Sequence, residues 1–134
     1  MRLVYTAGPI TADYPSDRFK HCLSAWEHAL EIWKRGHGVI CPQFNTLFMD
    51  SKTIPYGTFM DADYQMIVRA CDAMLMLPGW TDSKGACHER DVAFAHNIPV
   101  FYYDGLEKFW DFLETSEVDT PSKQVELEVD LAAH

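Results

Sequence analysis

The period of apolar and polar positions changes several times along this chain, and each change marks an element. Residues 2–6 are short, partly β-branched and closed by Ala7-Gly8-Pro9, which predicts a buried strand running into a sharp turn. Over 17–35 the apolar residues Phe19, Cys22, Leu23, Trp26, Leu30 and Trp33 recur every three or four positions. That is the one-sided stripe of a helix lying on a sheet, with the stripe in the core. Ser16 or Asp17 is placed to cap this helix and Gly36 to end it. Residues 37–41 read as a second strand stopped by Pro42, and 43–57 form a polar and aromatic stretch without a period. A loop of that length in a compact domain is often functional, for example as a lid. Residues 58–70 read as a helix, and 72–77 as a continuous apolar run closed by Pro78-Gly79, the signature of a central parallel strand covered on both faces. A helix over 85–96, a strand over 99–103 and a helix over 106–114 complete the pattern.

Alternating strands and helices predict an α/β fold: a three-layer sandwich around a central, mostly parallel sheet of four to five strands, flavodoxin-like or Rossmann-like, with right-handed crossovers. Residues 1–114 form the single domain, followed by an acidic segment over 115–134. In that segment Val125, Leu127, Val129 and Leu131 alternate with Glu126, Glu128 and Asp130, as in a one-sided edge strand. Thr120-Pro121-Ser122 reads equally as the linker to a solvated tail, and both readings stay open. Ligands of such sheets sit beyond the carboxyl ends of the strands, which selects residues 7–17, residues 78–89 and the turn after Tyr103 for chemistry.

Composition narrows the function classes. The 134 residues suit one domain, and 48% apolar with 23% charged residues is ordinary globular usage. No run approaches the roughly 18–20 apolar residues of a membrane span. The first ten residues lack the basic start and apolar middle of a secretory signal, so a cytoplasmic location is expected. Residues 1–103 carry 9 Lys/Arg against 11 Asp/Glu and residues 104–134 carry 2 against 9, so the net charge of -9 divides into -2 and -7. Duplex nucleic acid is bound by neutralising phosphates with Lys and Arg, and this balance argues against it. A nearly neutral body still accommodates one small anion. Cys22, Cys41, Cys71 and Cys87 show no close pairing and read as reduced, mostly buried thiols.

The segment 78–89, PGWTDSKGACHE, leads from a buried strand into a helix. Its glycines permit close backbone approach to a ligand, Ser83 can cap the helix or bond an anion, and free N–H groups at a helix start favour negative charge. Glu89 is expected in or near the first turn, where the helix dipole favours the ionised carboxylate, and an ionised carboxylate beside a sugar is a nucleophile. Taken singly, Ser83 is an ordinary cap and Glu89 an ordinary first-turn acid. The convergence with Tyr5-Thr6-Ala7-Gly8-Pro9-Ile10-Thr11, which ends a strand at the same sheet edge, points to a site. Trp80 reads as packing rather than as a base-stacking platform. His88-Glu89 is not a zinc motif, because H-E-x-x-H requires histidine where Val92 stands. Neither metal nor cofactor is expected.

Through Val4-Tyr5-Thr6-Ala7-Gly8-Pro9-Ile10, the strand over 71–77 and the block Gly79-x-x-x-Ser83-x-Gly85-x-x-x-Glu89-x-x-x-Ala93, the chain resembles the nucleoside 2-deoxyribosyltransferase superfamily. The likeness is greatest to a compact bacterial and phage branch showing Y-x-A-G-P-x-T and C-D-x-x-x-x-L-P-G-W-x-x-S-x-G-A-x-x-E, and it spans residues 2–103. The resemblance implies that Glu89 is the nucleophile attacking the anomeric carbon of a nucleoside or nucleotide. It implies that Ser83 contacts the 5′ end of the sugar, where Ser goes with nucleotide-cleaving members and Asp with nucleoside transferases, so a 5′-monophosphate is favoured. It further implies that Tyr5 is an active-site tyrosine and that the backbone of Gly8, Pro9, Ile10 and Thr11, with Gly85, lines the sugar-phosphate pocket. The family's second acid, at the start of the helix before the middle strand, matches Asp63, with Asp61 as a rival; the separation of Asp63 from Asp72 is nine where eight is usual. Residues 9–12 lack the Ser and Arg of some phosphate-binding members, so recognition there would use backbone N–H groups. A homodimer or larger homo-oligomer is also implied.

Breaking an N-glycosidic bond places positive charge on the sugar and negative charge on the base. One carboxylate is then needed ionised near the anomeric carbon and one neutral acid near the base, roles that Glu89 and Asp63 can divide. By analogy with retaining O-glycosidases, a glycosyl-enzyme forms and is released by water or by another base. Two other readings compete: a phosphoribohydrolase with a P-G-G-x-G-T-x-x-E cradle, which Trp80 and Ser83-x-Gly85 fit poorly, and a non-catalytic nucleotide-binding or sensing module.

Overall fold

The computed structural model describes residues 1–10, 14–47, 49 and 52–115. Both readings of the acidic C-terminal segment, and the predicted pocket residue Thr11, lie outside the described residues. Four strands, β1 (Leu3–Ala7), β2 (Gly38–Ile40), β3 (Ala73–Met76) and β4 (Val100–Tyr102), form one parallel sheet in the order β2-β1-β3-β4. Five helices connect and follow them: α1 (Pro15–Lys34), α2 (Pro42–Asn45), α3 (Tyr56–Ala70), α4 (Lys84–Ala95) and α5 (Leu106–Glu114). A 3₁₀ turn, Trp80–Asp82, precedes α4. Among the described residues no helix is long and apolar enough to cross a membrane.

The expected three layers are present, because each face of the sheet carries its own core. On one face Ala25 and Ile32 of α1 and Phe109 and Leu113 of α5 pack on Val4 and Leu75. On the other, Ile67 of α3 and Ala86 and Ala93 of α4 pack on Tyr5, Met74 and Met76. Strand residues alternate faces, so Val4 and Tyr5 report to different cores. β3 is buried at every position, as its unbroken apolar run requires. Its start is pinned to β1 by Asp72, whose side chain accepts from the Leu3 N–H and whose own N–H donates to the Leu3 carbonyl, each at 2.8 Å. From the adjacent strands β1 and β3 the chain departs in opposite directions, into α1 on one face and α4 on the other. A crevice opens at such a switch point, beyond the carboxyl ends of the two strands.

Two helix starts differ from the sequence reading. α1 begins at Pro15, at N1, behind an extended Tyr14, and no side chain caps it; the fixed φ of proline replaces the cap expected from Ser16 or Asp17. Pro42 opens the short α2 rather than merely stopping β2. α1 also buries a different stripe from the expected one. Cys22, Ala25, Ala29 and Ile32 face the sheet, whereas Phe19, Leu23, Trp26 and Trp33 are exposed. The small alanines let the helix seat closely on the sheet, and the bulky residues overhang about a quarter turn away. Placing the stripe in the core therefore holds for Cys22 and in part for half-buried Leu30, and is corrected for Phe19, Leu23, Trp26 and Trp33.

Candidate active site

The crevice is shaped by two close approaches. A Cβ at Gly8, just beyond β1, would stand 2.9 Å from the Leu77 Cβ, so glycine there lets the ends of β1 and β3 converge. Gly79, just beyond β3, holds φ +85° and lies against the Pro9 ring, where a Cβ would meet Pro9 Cγ at 3.1 Å. The turn into α4 then places Ser83 at the N-cap, its hydroxyl accepting from the Ala86 N–H at 3.2 Å.

Between this turn and α3 lies a cavity of about 170 Å³. Of the expected site residues, Gly8, Ile10, Asp63, Ser83, Gly85 and Glu89 line it. Tyr5 reaches it from the sheet below, its hydroxyl donating to Glu89 Oε2. Pro9, between the lining residues Gly8 and Ile10, is not itself in the wall; its ring lies against Gly79. Asp61 is exposed and away from the wall, so Asp63 is the acid of α3 that reaches the cavity. Asp63 sits at the eighth of the fifteen residues of α3, mid-helix rather than at its start. Trp80 packs on Tyr102 with centroids 5.5 Å apart and lies under the Arg90 guanidinium, as the packing reading expects.

The electrostatics differ from expectation at Glu89. It occupies the sixth position of α4, in the second turn, beyond the free N–H groups of the helix start. With 3% of its surface exposed, desolvation outweighs the dipole. Burial pushes its carboxyl up to about 8, assisted by the charge of Asp63 and opposed by the Tyr5 hydroxyl. The expected resting ionised Glu89 is thereby corrected to a carboxyl that favours its proton. Asp63, 6% exposed, is raised by burial to about 6, with the nearby Tyr5 hydroxyl opposing the rise. Tyr5 itself is held well above the ordinary phenol by burial and then by both acids, so it stays a donor. Three protic groups thus meet in one buried cluster.

Several lining residues carried no sequence signal. Tyr56, Phe59 and Met60 share the face of α3 with Asp63, and Thr46 and Met49 come from the segment after α2. The Tyr56 hydroxyl lies over Gly85, where a Cβ would meet it at 3.1 Å. Arg18, on the first turn of α1, is the cation among the described lining residues. An i, i+4 count from Asp63 would have found Phe59 and Met60. Arg18 and Thr46 are joined to the site only by the tertiary fold. Beside Gly8 the buried Gln43 side chain leaves its Nε2 without a partner among the described residues.

Comparison with solved structures finds a likeness to a conserved protein from Enterococcus faecalis V583. Its crystal structure aligns over 87% of this chain and 77% of the other, with a TM-score of 0.58 and 22% identity. At that identity the likeness shows the shared fold. A search of curated proteins finds no match. The sequence profile described as "Domain of unknown function (DUF4406)" matches residues 2–102, three quarters of the chain and all four strands. The chain therefore belongs to the DUF4406 family.

Proposed function

We propose that this protein cleaves or transfers the N-glycosidic bond of a nucleotide or nucleoside by a retaining mechanism with Glu89 as nucleophile, a (deoxy)nucleoside 5′-monophosphate being the favoured substrate. The observation that carries the reading is the pair of buried carboxyls, Glu89 and Asp63, on the wall of one small cavity, with the Tyr5 hydroxyl donating to Glu89. An N-glycosidase needs one acid ionised and one neutral, and a pair with raised, mutually dependent protonation supplies that division.

Burial raises both carboxyls, so at rest the pair keeps a proton. With that proton on Asp63, Glu89 is ionised and accepts from the Tyr5 hydroxyl, and no charge has moved to solvent. Positive charge developing on the sugar stabilises that arrangement. Glu89 then forms a bond to C1′ as the C1′–N bond breaks, and the Asp63 proton goes to the departing base nitrogen. Water or a second base, deprotonated by Asp63, releases the sugar from Glu89. Free N–H groups at the start of α4, Ser83 and Arg18 are polar groups of the lining and suit a 5′ substituent, anionic in a monophosphate. A volume of about 170 Å³ matches one pentose-sized group, with the base toward Phe59 and Met60. The reading includes a homo-oligomer as the working form.

Acid-quenched intact-mass and peptide mass spectrometry, after mixing with a panel of nucleosides and their 5′-monophosphates, tests it. A pentosyl or phosphopentosyl adduct on the peptide containing Glu89 is expected. Free base released with no adduct at any time point would replace the covalent mechanism, and binding without release would leave a sensing module.

A further inference from the structure

Among the described residues, the bulky stripe of α1 gathers four exposed large apolar side chains on one helix. Phe19, Leu23, Trp26 and Trp33 are 69%, 44%, 49% and 54% exposed. With half-buried Leu30 they are separated by four, three, four and three positions, the spacing of a seam along which one helix packs lengthwise on another. Phe44 and Met49 extend the face, and with Phe19, Leu23 and Trp26 they wall an apolar groove of about 500 Å³, beyond which Leu30 and Trp33 continue the seam.

Area and charge identify the occupant. At 150–250 Å² for a fully exposed aromatic, Phe19, Leu23, Trp26, Trp33, Phe44 and Met49 offer about 600 Å² of accessible surface. That is the upper end of what a monomer leaves open, and with a polar rim it approaches the roughly 800 Å² per partner of a stable complex. α1 carries Asp17, Glu27 and Glu31 against Arg18, Lys20 and Lys34, so the helix is balanced in a chain of net charge -9. Two copies repel through most of their acidic surface but not through this face, which also offers no net charge to an acidic or a basic partner. A seam of this kind is self-complementary about a twofold axis.

We infer that α1 is the self-association face of this protein and that a second copy lays its own Phe19 to Trp33 seam along it. The inference gives a location to the homo-oligomer of the reading above and rests on that part of it. Arg18 and Met49 line both this groove and the carboxyl cavity, so the partner adjoins the rim of the site.

Multi-angle light scattering of the full chain, without nucleotide, tests the inference. Twice the 15.4 kDa of one chain is expected. The double variant Leu23→Lys, Trp26→Glu is expected at the mass of one chain with unchanged far-UV circular dichroism. Phe94→Lys, at an exposed apolar position on α4, is expected to keep the doubled mass. Should the double variant not fold, the milder Trp33→Gln is expected to raise the dimer dissociation constant by more than roughly tenfold. A wild-type chain at single mass, or a doubled mass that survives all α1 variants, overturns the inference. So does a chain that dimerises only once residues 116–134 are removed, which would assign the face to the chain's own C-terminal segment. Mass is read without substrate, so this failure and that of the glycosidase reading are told apart.

Discussion

The two sides of the sheet depart from ordinary burial in opposite senses. On the side of α3 and α4 two carboxyls are buried where apolar groups belong; on the side of α1 two tryptophans, a phenylalanine and a leucine are exposed where polar groups belong. Each departure carries a cost in the isolated chain, desolvation in one case and solvated apolar surface in the other. The difference lies in what would relieve it. A buried acid is relieved by a ligand whose charge develops beside it, and an exposed apolar seam by another surface that covers it. Polar inside therefore points to chemistry and apolar outside to association.

The largest expected effect breaks the carboxyl side. Glu89→Gln keeps the shape but removes the proposed nucleophile, and base release should fall by roughly 10⁴-fold or more in steady-state assays. A variant within tenfold of wild type would show that Glu89 is not the nucleophile. Asp63→Asn should lose about 10²–10⁴-fold, with the smallest loss on substrates whose leaving base needs no protonation. Comparing activated and natural bases checks this, and an equal loss on both would remove Asp63 as the acid.

Stability gives a second contrast. A carboxyl raised from 4.5 to about 8 holds in the folded state a proton that the unfolded chain releases, so its contribution to stability falls as pH rises through that window. The slope is about 1.4 kcal/mol per pH unit, and it vanishes below the ordinary value and above the raised one. Asp63 adds a slope of the same sign between 3.8 and about 6. Glu89→Gln should thus be nearly equal to wild type at pH 4.5 and more stable than it by several kcal/mol at pH 8, measured by urea denaturation. A gap that does not grow with pH would contradict the burial of a protonated Glu89. On the α1 side, Ala25→Leu should cost about 1–3 kcal/mol by overpacking the small-residue stripe that seats the helix. Full tolerance of leucine there would place the helix on its bulky stripe instead.

Nearly the whole fold is legible in the residues. Strands such as AMLM over Ala73–Met76 and the breaks at Gly8, Gly36, Pro78 and Gly79 mark it, and the strand and helix limits differ from the sequence reading by one or two residues. Which side of α1 faces the sheet is not legible, because a count of large residues finds the overhanging stripe while alanines make the closer contact. At the site, Tyr5, Ser83, Gly85 and Glu89 stand in strand-turn-helix segments whose sheet-edge position follows from topology, so the cavity could be anticipated. Arg18, Thr46 and Tyr56 reach it from elements whose orientation is decided by packing. The protonation of Glu89 is not legible for a related reason. Helix position is written in the sequence, but desolvation depends on what α3 and β1 place around the carboxyl.

The most direct measurement follows free base by chromatography when the wild-type chain and Glu89→Gln, with its circular dichroism shown to be unchanged, meet the same panel of nucleosides and 5′-monophosphates. Release of base from at least one compound by wild type, lost in the variant, is the predicted result. A wild-type chain that binds a panel compound yet releases no base, or a Glu89→Gln chain that releases it at the wild-type rate, would contradict the account.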